Sequence, residues 1–206
     1  MAKKAYVYNG SAWEDLASST SDLSSYATTV DLDDYQLKSV AGLTLITTAT
    51  FSAVAAASIN DCFSGTYKNY KVMFNETAQS ANALIYFRLR NAGSDRATSE
   101  YYNATQGLTY GNGAANLTSQ QSVGYIGEGW GPGIRNKYSL DVFEPFTAGE
   151  QTLVNGTSNG ATVAAGSISG YSVRFYYDLA NTNDGLTIYP ASGTISGTIR
   201  VYGYQD

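Results

Sequence analysis

Apolar and polar residues alternate through most of the chain after residue 43, and this alternation restricts the fold more than any other feature. In one segment, Tyr70, Val72 and Phe74 are separated by Lys71 and Met73. The same period of two recurs in the segments 85–90, 138–143, 172–177 and 194–201. Successive side chains of a β-strand point to opposite faces of the sheet. The pattern therefore predicts strands with one face in a core and one face in solvent.

Short turn signals separate these segments, at 91–95, 111–113, 155–156, 159–160 and 183–185. Weaker strand candidates lie at 43–48, 58–63, 99–102, 123–126, 151–154, 162–166 and 186–189. No helical stripe of comparable strength occurs after residue 57. Many short strands at about ten-residue spacing predict an all-β fold, an antiparallel β-sandwich of the jelly-roll kind over residues 43–206. In its last strand we expect Ile195, Ile199 and Val201 to face the core.

Residues 1–40 have a different character and predict an N-terminal arm. Tyr6 and Tyr8 precede Asn9-Gly10, a pair that favours the tight turn of a hairpin, and Trp13 follows. A two-stranded hairpin is marginally stable alone, and this one has no core of its own. We therefore expect Tyr6, Tyr8 and Trp13 to dock on another surface and to anchor the chain.

The rest of the arm contains few apolar residues, and three of them are seven residues apart. Leu23, Val30 and Leu37 have the spacing of one heptad position, which suggests a role in oligomerisation. Three positions are too few to establish a coiled coil. A short helix, a packed three-chain stalk and an extended linker all remain open.

Charge and hydropathy exclude two kinds of partner. The formal net charge is −5 and only 14% of the residues are charged, whereas a nucleic-acid site needs clustered Lys and Arg. No apolar run approaches the ~20 residues of a membrane span, and none follows the initial Met-Ala-Lys-Lys, so we expect neither membrane insertion nor a secretory signal.

Several kinds of catalytic and metal site are excluded by composition. The chain has no histidine and one cysteine, Cys62, so His-based triads, common zinc sites and an intrachain disulfide cannot form. The acidic run 31–34 lacks the glycine and distal glutamate of a calcium-binding EF-hand loop. We expect no catalytic residue, no metal and no cofactor, and we interpret Cys62 as a small buried thiol.

A pair of carboxylates remains as the one enzymatic alternative, because two acidic side chains can hydrolyse a glycosidic bond. The candidates are Glu76, Glu100, Glu128, Asp141, Glu144 and Glu150. The sequence does not show that any two of them face each other.

The most unusual segment is the glycine-rich stretch 124–135. It lacks the spacing and the following helix of a phosphate-binding loop, so we interpret it as a wide loop that carries Trp130 outward. Aromatic side chains on exposed loops stack on sugars or fill protein pockets. The candidate ligand-binding residues are Trp130, Tyr125, Tyr101, Tyr102, Tyr110 and Arg135. The alternative is that Trp130 packs beneath the loop or into a neighbouring subunit.

Parts of both regions resemble virion proteins of tailed bacteriophages, marine ones especially. The segment Tyr6-Val-Tyr-Asn-Gly-Ser-Ala-Trp13 resembles short aromatic hairpins near the start of tail-fibre proteins. The segments 58–72, 87–95 and 195–204 resemble the β-sandwich heads of the same proteins. The resemblance implies a homotrimer in the virion, assembled in the host cytoplasm, with the arm seated on other virion proteins and the head outward. It supplies no catalytic residues.

Two functions follow as expectations. The first is a tail fibre whose head binds a host-surface glycan. The second is a capsid decoration or cement protein that acts by protein–protein contact. A sugar-cleaving head is the third hypothesis, and it depends on the carboxylate pair.

Overall fold

The computed structural model describes residues 6–8, 10–15, 42–109, 113–129, 131, 134–162 and 168–205. The chain consists of two units, Met1–Ala41 and Gly42–Asp206. Every regular element in the described ranges is a β-strand. The strands are β1 (Tyr6–Tyr8), β2 (Trp13–Asp15), β3 (Leu43–Val54), β4 (Ala57–Ile59), β5 (Asn69–Gln79), β6 (Ala83–Asn91), β7 (Ser94–Asp95), β8 (Tyr101–Thr109), β9 (Gly113–Gln121), β10 (Gly124–Gly129), β11 (Ile134–Phe143), β12 (Thr152–Thr162), β13 (Ile168–Tyr177), β14 (Gly185–Pro190) and β15 (Ile195–Tyr204).

The first unit contains the predicted hairpin. Strands β1 and β2 pair antiparallel, with Tyr8 opposite Trp13. The two rings lie 5.3 Å apart between centroids, and the Tyr8 hydroxyl donates a hydrogen bond to the Gly10 carbonyl at 3.2 Å. Gly10 has a φ of 94°, a conformation that glycine adopts without strain. Within this chain Tyr8 is 50% exposed and Trp13 is 70% exposed, so their docking on another surface stays a prediction. Leu23, Val30 and Leu37 lie outside the described residues.

The second unit is built from two antiparallel sheets. The larger sheet has eight strands in the order β3-β15-β5-β11-β12-β13-β8-β9. The smaller sheet has five strands, in the order β10-β6-β14-β4 with β7 paired to β6. The inner faces share one hydrophobic core, where the rings of Phe87 on β6 and Phe175 on β13 are 5.5 Å apart. The predicted antiparallel β-sandwich is confirmed.

Alternation along each strand determines which side chains enter this core. The larger sheet contributes Tyr70, Val72, Phe74, Tyr101, Tyr138, Leu140, Val142, Val154, Tyr171, Val173, Phe175, Tyr177, Ile195, Ile199 and Val201. The smaller sheet contributes Ala57, Ile59, Ile85, Phe87, Leu89, Ile126, Leu186 and Ile188. Burying one large apolar side chain stabilises a fold by roughly 1.5–3 kcal/mol. The prediction that Ile195, Ile199 and Val201 face the core is confirmed.

The interpretation of 124–135 as one wide loop is wrong for its first half, which forms β10. The glycines there permit close packing. A Cβ atom on Gly124 would lie 2.5 Å from the ring of Phe175, and one on Gly129 would lie 1.5 Å from Oε1 of Gln79. Larger residues would collide with these side chains, so the glycines let an edge strand lie directly on the core. Trp130 lies outside the described residues.

Candidate functional site

Three tyrosines form a row across the outer face of the smaller sheet. Tyr125 on β10 is opposite Tyr86 on β6, and Tyr86 is opposite Tyr189 on β14. Their ring centroids are 5.6 Å apart between Tyr86 and Tyr125 and 5.4 Å apart between Tyr86 and Tyr189. Neighbouring strands are about 4.8 Å apart, so this tyrosine row spans about 10 Å. All three side chains are half-buried.

The strands hold the tyrosine row in place from below. Tyr86 is flanked by Ile85 and Phe87, which are fully buried, so its own side chain must point outward. On β10, a register shift between Tyr125 and Gly127 leaves Tyr125 on the outer face beside Tyr86. Side chains supported by paired strands are positioned more rigidly than side chains on loops.

Arg88 lies beside the tyrosine row, two residues along β6. Its guanidinium carbon is 5.0 Å from the centroid of the Tyr189 ring, which is a cation–π arrangement. Its Nε donates a hydrogen bond to the Ser122 carbonyl at 3.0 Å. Its Nη1 is 3.8 Å from the Asp95 carboxylate. The guanidinium is therefore fixed at the edge of the aromatic surface.

A second arginine, Arg90, lies next to Arg88 at the centre of a polar network. Its Nε donates to Asn60 Oδ1 at 2.8 Å, and its Nη1 donates to Ser58 Oγ at 3.1 Å and to Thr187 Oγ1 at 2.8 Å. It also forms an ion pair with Asp95. Thr187 in turn donates to Asp95 at 2.7 Å. This network supplies hydroxyl, amide and charged groups on one side of the tyrosine row.

Two of the row's hydroxyls are less acidic than in water. Burial raises the pKa of Tyr86, with the nearby Tyr125 adding to the effect. Burial also raises the pKa of Tyr189, against an opposing contribution from Arg88. Tyrosine is already neutral at physiological pH at its ordinary pKa of about 10, so these shifts only reinforce the uncharged state in which both rings present their hydroxyl groups.

The structure separates the residues that the sequence grouped as ligand-binding candidates. Tyr125 lies in the tyrosine row. Tyr101 does not contact the surface: it is 0% exposed, and its hydroxyl donates to the Arg96 carbonyl at 3.0 Å and accepts from the Leu89 amide at 2.9 Å. Its assignment to a ligand surface is wrong, because the strand turns it into the core. Trp130 and Tyr110 lie outside the described residues. The backbone of Arg135 belongs to β11, but its side chain is not among the described parts of the chain.

Tyr102 lies on the outer face of the larger sheet and forms a second aromatic surface. It is opposite Tyr176, and their rings stack at 4.9 Å with an angle of 7°. Leu153 continues this row beyond Tyr176 and is 45% exposed. A depression of about 270 Å³ lies here, lined among others by Tyr102, Leu153, Asn155, Arg174 and Tyr176. The two candidate surfaces therefore belong to different sheets.

Three of the acidic residues considered for sugar cleavage have separate partners. Asp141 pairs with Lys71 at 3.0 Å, Glu144 pairs with Lys68 at 2.8 Å, and Glu128 accepts a hydrogen bond from the Tyr171 hydroxyl at 2.9 Å. Each of these three carboxylates therefore forms an ion pair or a hydrogen bond with a different neighbouring side chain. Across the described ranges, no three acidic, histidine or cysteine side chains are grouped to hold a metal ion.

Glu76 is different, because it lies inside the sandwich. It is 0% exposed, and one carboxylate oxygen accepts from Asn136 Nδ2 at 2.6 Å and from the Tyr138 hydroxyl at 3.3 Å. Its other oxygen has no hydrogen-bond partner in the described part of the chain. Burial raises the pKa of Glu76 to about 7. An interior carboxyl of this kind affects stability and is closed to a sugar substrate.

Cys62 is buried, as predicted, and is 2% exposed. Burial raises the pKa of its thiol to about 12. Among the described residues, no helix is long and apolar enough to cross a membrane.

No protein-family model and no curated protein matches the chain. One solved structure is similar to it, the CBM2 module of the Lactobacillus casei BL23 phage J-1 evolved Dit. The sequence identity is 11% and the TM-score is 0.24, over 73% of this chain and 69% of that chain. At this TM-score the similarity establishes neither a shared fold nor a shared ligand.

Proposed function

We propose that this chain is a non-enzymatic structural protein of a phage virion and that its β-sandwich head binds a glycan on the host surface. The observation that carries the binding role is the tyrosine row, in which Tyr125, Tyr86 and Tyr189 are in register on three adjacent strands. The virion context rests on the resemblance of the arm and head segments to tail-fibre proteins.

A glycan fits the chemistry of this face. The C–H face of a sugar ring packs on an aromatic ring, whereas its hydroxyl groups require hydrogen-bonding partners at the rim. The tyrosine row supplies the rings, and the exposed Ser58 and Asn60 lie with Arg88 on the same side of the smaller sheet. Asp95 is bound by Arg90 and Thr187, which suits binding better than acid–base catalysis.

The arm supplies attachment in this proposal. Residues 1–40 seat the chain on other virion proteins through Tyr6, Tyr8 and Trp13, and Leu23, Val30 and Leu37 join three copies. The exposure of Tyr8 and Trp13 within the single chain supports docking on another surface, since large aromatic side chains gain free energy when they are buried.

A second candidate function, capsid decoration by protein–protein contact, is favoured by the other aromatic surface. Tyr102, Tyr176 and Leu153 place exposed apolar area on the outer face of the larger sheet. Exposed contiguous apolar patches are common at sites of protein association. On this reading the larger sheet contacts the particle and loss of the protein lowers the heat tolerance of the capsid.

Matched variants of the full-length chain on a glycan array test the proposal. We expect Tyr86→Ala to weaken binding about 10-fold or more, because it removes the central ring of the tyrosine row. Tyr176→Ala removes a half-buried tyrosine from the other sheet and should leave glycan binding unchanged. An array without signal for the wild-type chain contradicts the glycan proposal, and particles that lose heat tolerance without the protein favour decoration.

A further inference from the structure

We infer that the glycan carries a carboxylate or another acidic group and that Arg88 recognises it. This inference rests on the proposed function, because it names the class of ligand for the tyrosine row. The observation behind it is a fixed guanidinium whose carbon lies 5.0 Å from the centroid of the Tyr189 ring, at one end of that row.

The charges on this face leave Arg88 as the surplus cation. Arg90 and Asp95 form an ion pair, and Arg90 is further bound by Asn60 and Thr187. Asp95 is thereby neutralised by its closest partner. Its other oxygen is 3.8 Å from Arg88 Nη1, which is beyond hydrogen-bond distance. Arg88, whose neighbouring carboxylate is already bound by Arg90, therefore remains able to pair with an acidic group of a ligand.

The geometry of Arg88 suits a planar anion. Only its Nε donates a hydrogen bond, to the Ser122 carbonyl, and neither Nη atom donates one within the described residues. A guanidinium presents its N–H groups in a planar fork that matches the two oxygens of a carboxylate. The contact with the Tyr189 ring and the hydrogen bond to Ser122 fix the orientation of the fork in advance, which lowers the entropic cost of binding.

A carboxylate on the other side of the tyrosine row, that of Glu128, does not oppose this assignment. Glu128 is opposite Leu84, four residues from Arg88 along β6, a separation of about 13 Å along the strand. Its carboxylate accepts a hydrogen bond from the Tyr171 hydroxyl. Tyr86 and Tyr189 are uncharged at physiological pH, as tyrosine is at its ordinary pKa of about 10, and burial raises the pKa of both further. The acidic group of the ligand is therefore expected at the Arg88 end of the row.

Paired glycans and paired variants test the inference on the full-length chain. Each carboxylated glycan on the array is matched by the same glycan with its carboxyl group methyl-esterified. We expect the wild-type chain to bind the acidic form about 10- to 100-fold more tightly. We expect Arg88→Gln to bind both forms equally weakly, and Arg88→Lys to recover part of the preference. Arg200→Gln is the control, because it removes one exposed arginine from the larger sheet.

The preference between paired glycans is a ratio, so a modest loss of folded protein in one variant does not imitate the expected result. Equal binding of acidic and esterified glycans by the wild-type chain overturns the inference. So does an acidic preference that Arg88→Gln leaves intact. In both cases, binding that still depends on Tyr86 leaves the proposed function standing. A chain that binds no glycan overturns the proposed function itself, and the inference with it.

Discussion

At the scale of single residues, one strand can separate two neighbouring tyrosines completely. Tyr101 and Tyr102 are adjacent on β8, yet Tyr101 lies in the core and Tyr102 stacks on Tyr176 in the outer face. The sequence shows that one of the two is buried, because neighbours on a strand face opposite ways. It does not show which one, since both are aromatic. The wrong assignment of Tyr101 to a ligand surface has this cause.

Glu76 gives a prediction at the same scale. The pKa of its carboxyl is raised by burial to about 7, whereas the unfolded chain has the ordinary value near 4.5. Protonated Glu76 therefore favours the folded state. Its contribution is present below about pH 4.5 and is lost as the pH rises through about 7, a change of up to about 3 kcal/mol in the free energy of unfolding.

Urea unfolding at a series of pH values measures this contribution. Glu76→Gln, which has no proton to release, should remove most of the decline in stability between pH 5 and pH 8 and should be more stable than wild type at pH 8. Glu150→Gln is the control, because Glu150 is exposed. Parallel pH profiles for the wild-type chain and Glu76→Gln would contradict the account.

At the scale of elements, the alternation of apolar and polar residues predicts the strands but not the candidate site. Along β6 the pattern places Tyr86 and Arg88 on the outer face, because Ile85, Phe87 and Leu89 form the buried set. The site also needs β10 and β14 as the neighbours of β6, and that order depends on contacts between residues far apart in the chain. Strand order and register therefore had to come from the structure.

The glycines of β10 give a prediction at this scale. Gly124→Ala should destabilise the fold by about 1–3 kcal/mol, because the new Cβ would lie 2.5 Å from the buried Phe175 ring and overpack the core. Gly65→Ala is the matched control, since a Cβ there meets nothing within 4 Å. The comparison is made by urea unfolding at constant pH. Equal stability of the two variants would show that β10 does not lie against the core as described.

At the scale of the whole molecule, we propose that the two units have separate roles. In this proposal the arm attaches the chain to a particle, and the sandwich binds a ligand through the smaller sheet. The sequence indicated such a division through its change of pattern near residue 40, because the arm lacks enough apolar residues for a core. The binding partners of the two units cannot be predicted in the same way, because they depend on surface side chains that the alternation of apolar and polar residues does not specify.

Deletion of residues 1–40 tests the attachment role. The core residues lie in the second unit, so the truncated chain should unfold cooperatively with a melting temperature close to that of the full chain. It should no longer join particles in a sedimentation assay. The double variant Tyr8→Ala, Trp13→Ala should reduce incorporation in the full chain without altering the sandwich. A truncated chain that still assembles would contradict the attachment role.

The central claim is that a sugar packs on the tyrosine row, and saturation-transfer difference NMR measures this contact directly. With a glycan selected on the array, selective irradiation of aromatic protein protons should transfer saturation to the C–H protons of one sugar ring. We predict that Tyr86→Ala strongly reduces this transfer at a fixed glycan concentration and that Tyr176→Ala preserves it. Transfer that Tyr86→Ala leaves unchanged, or that is lost with Tyr176→Ala instead, would contradict the account.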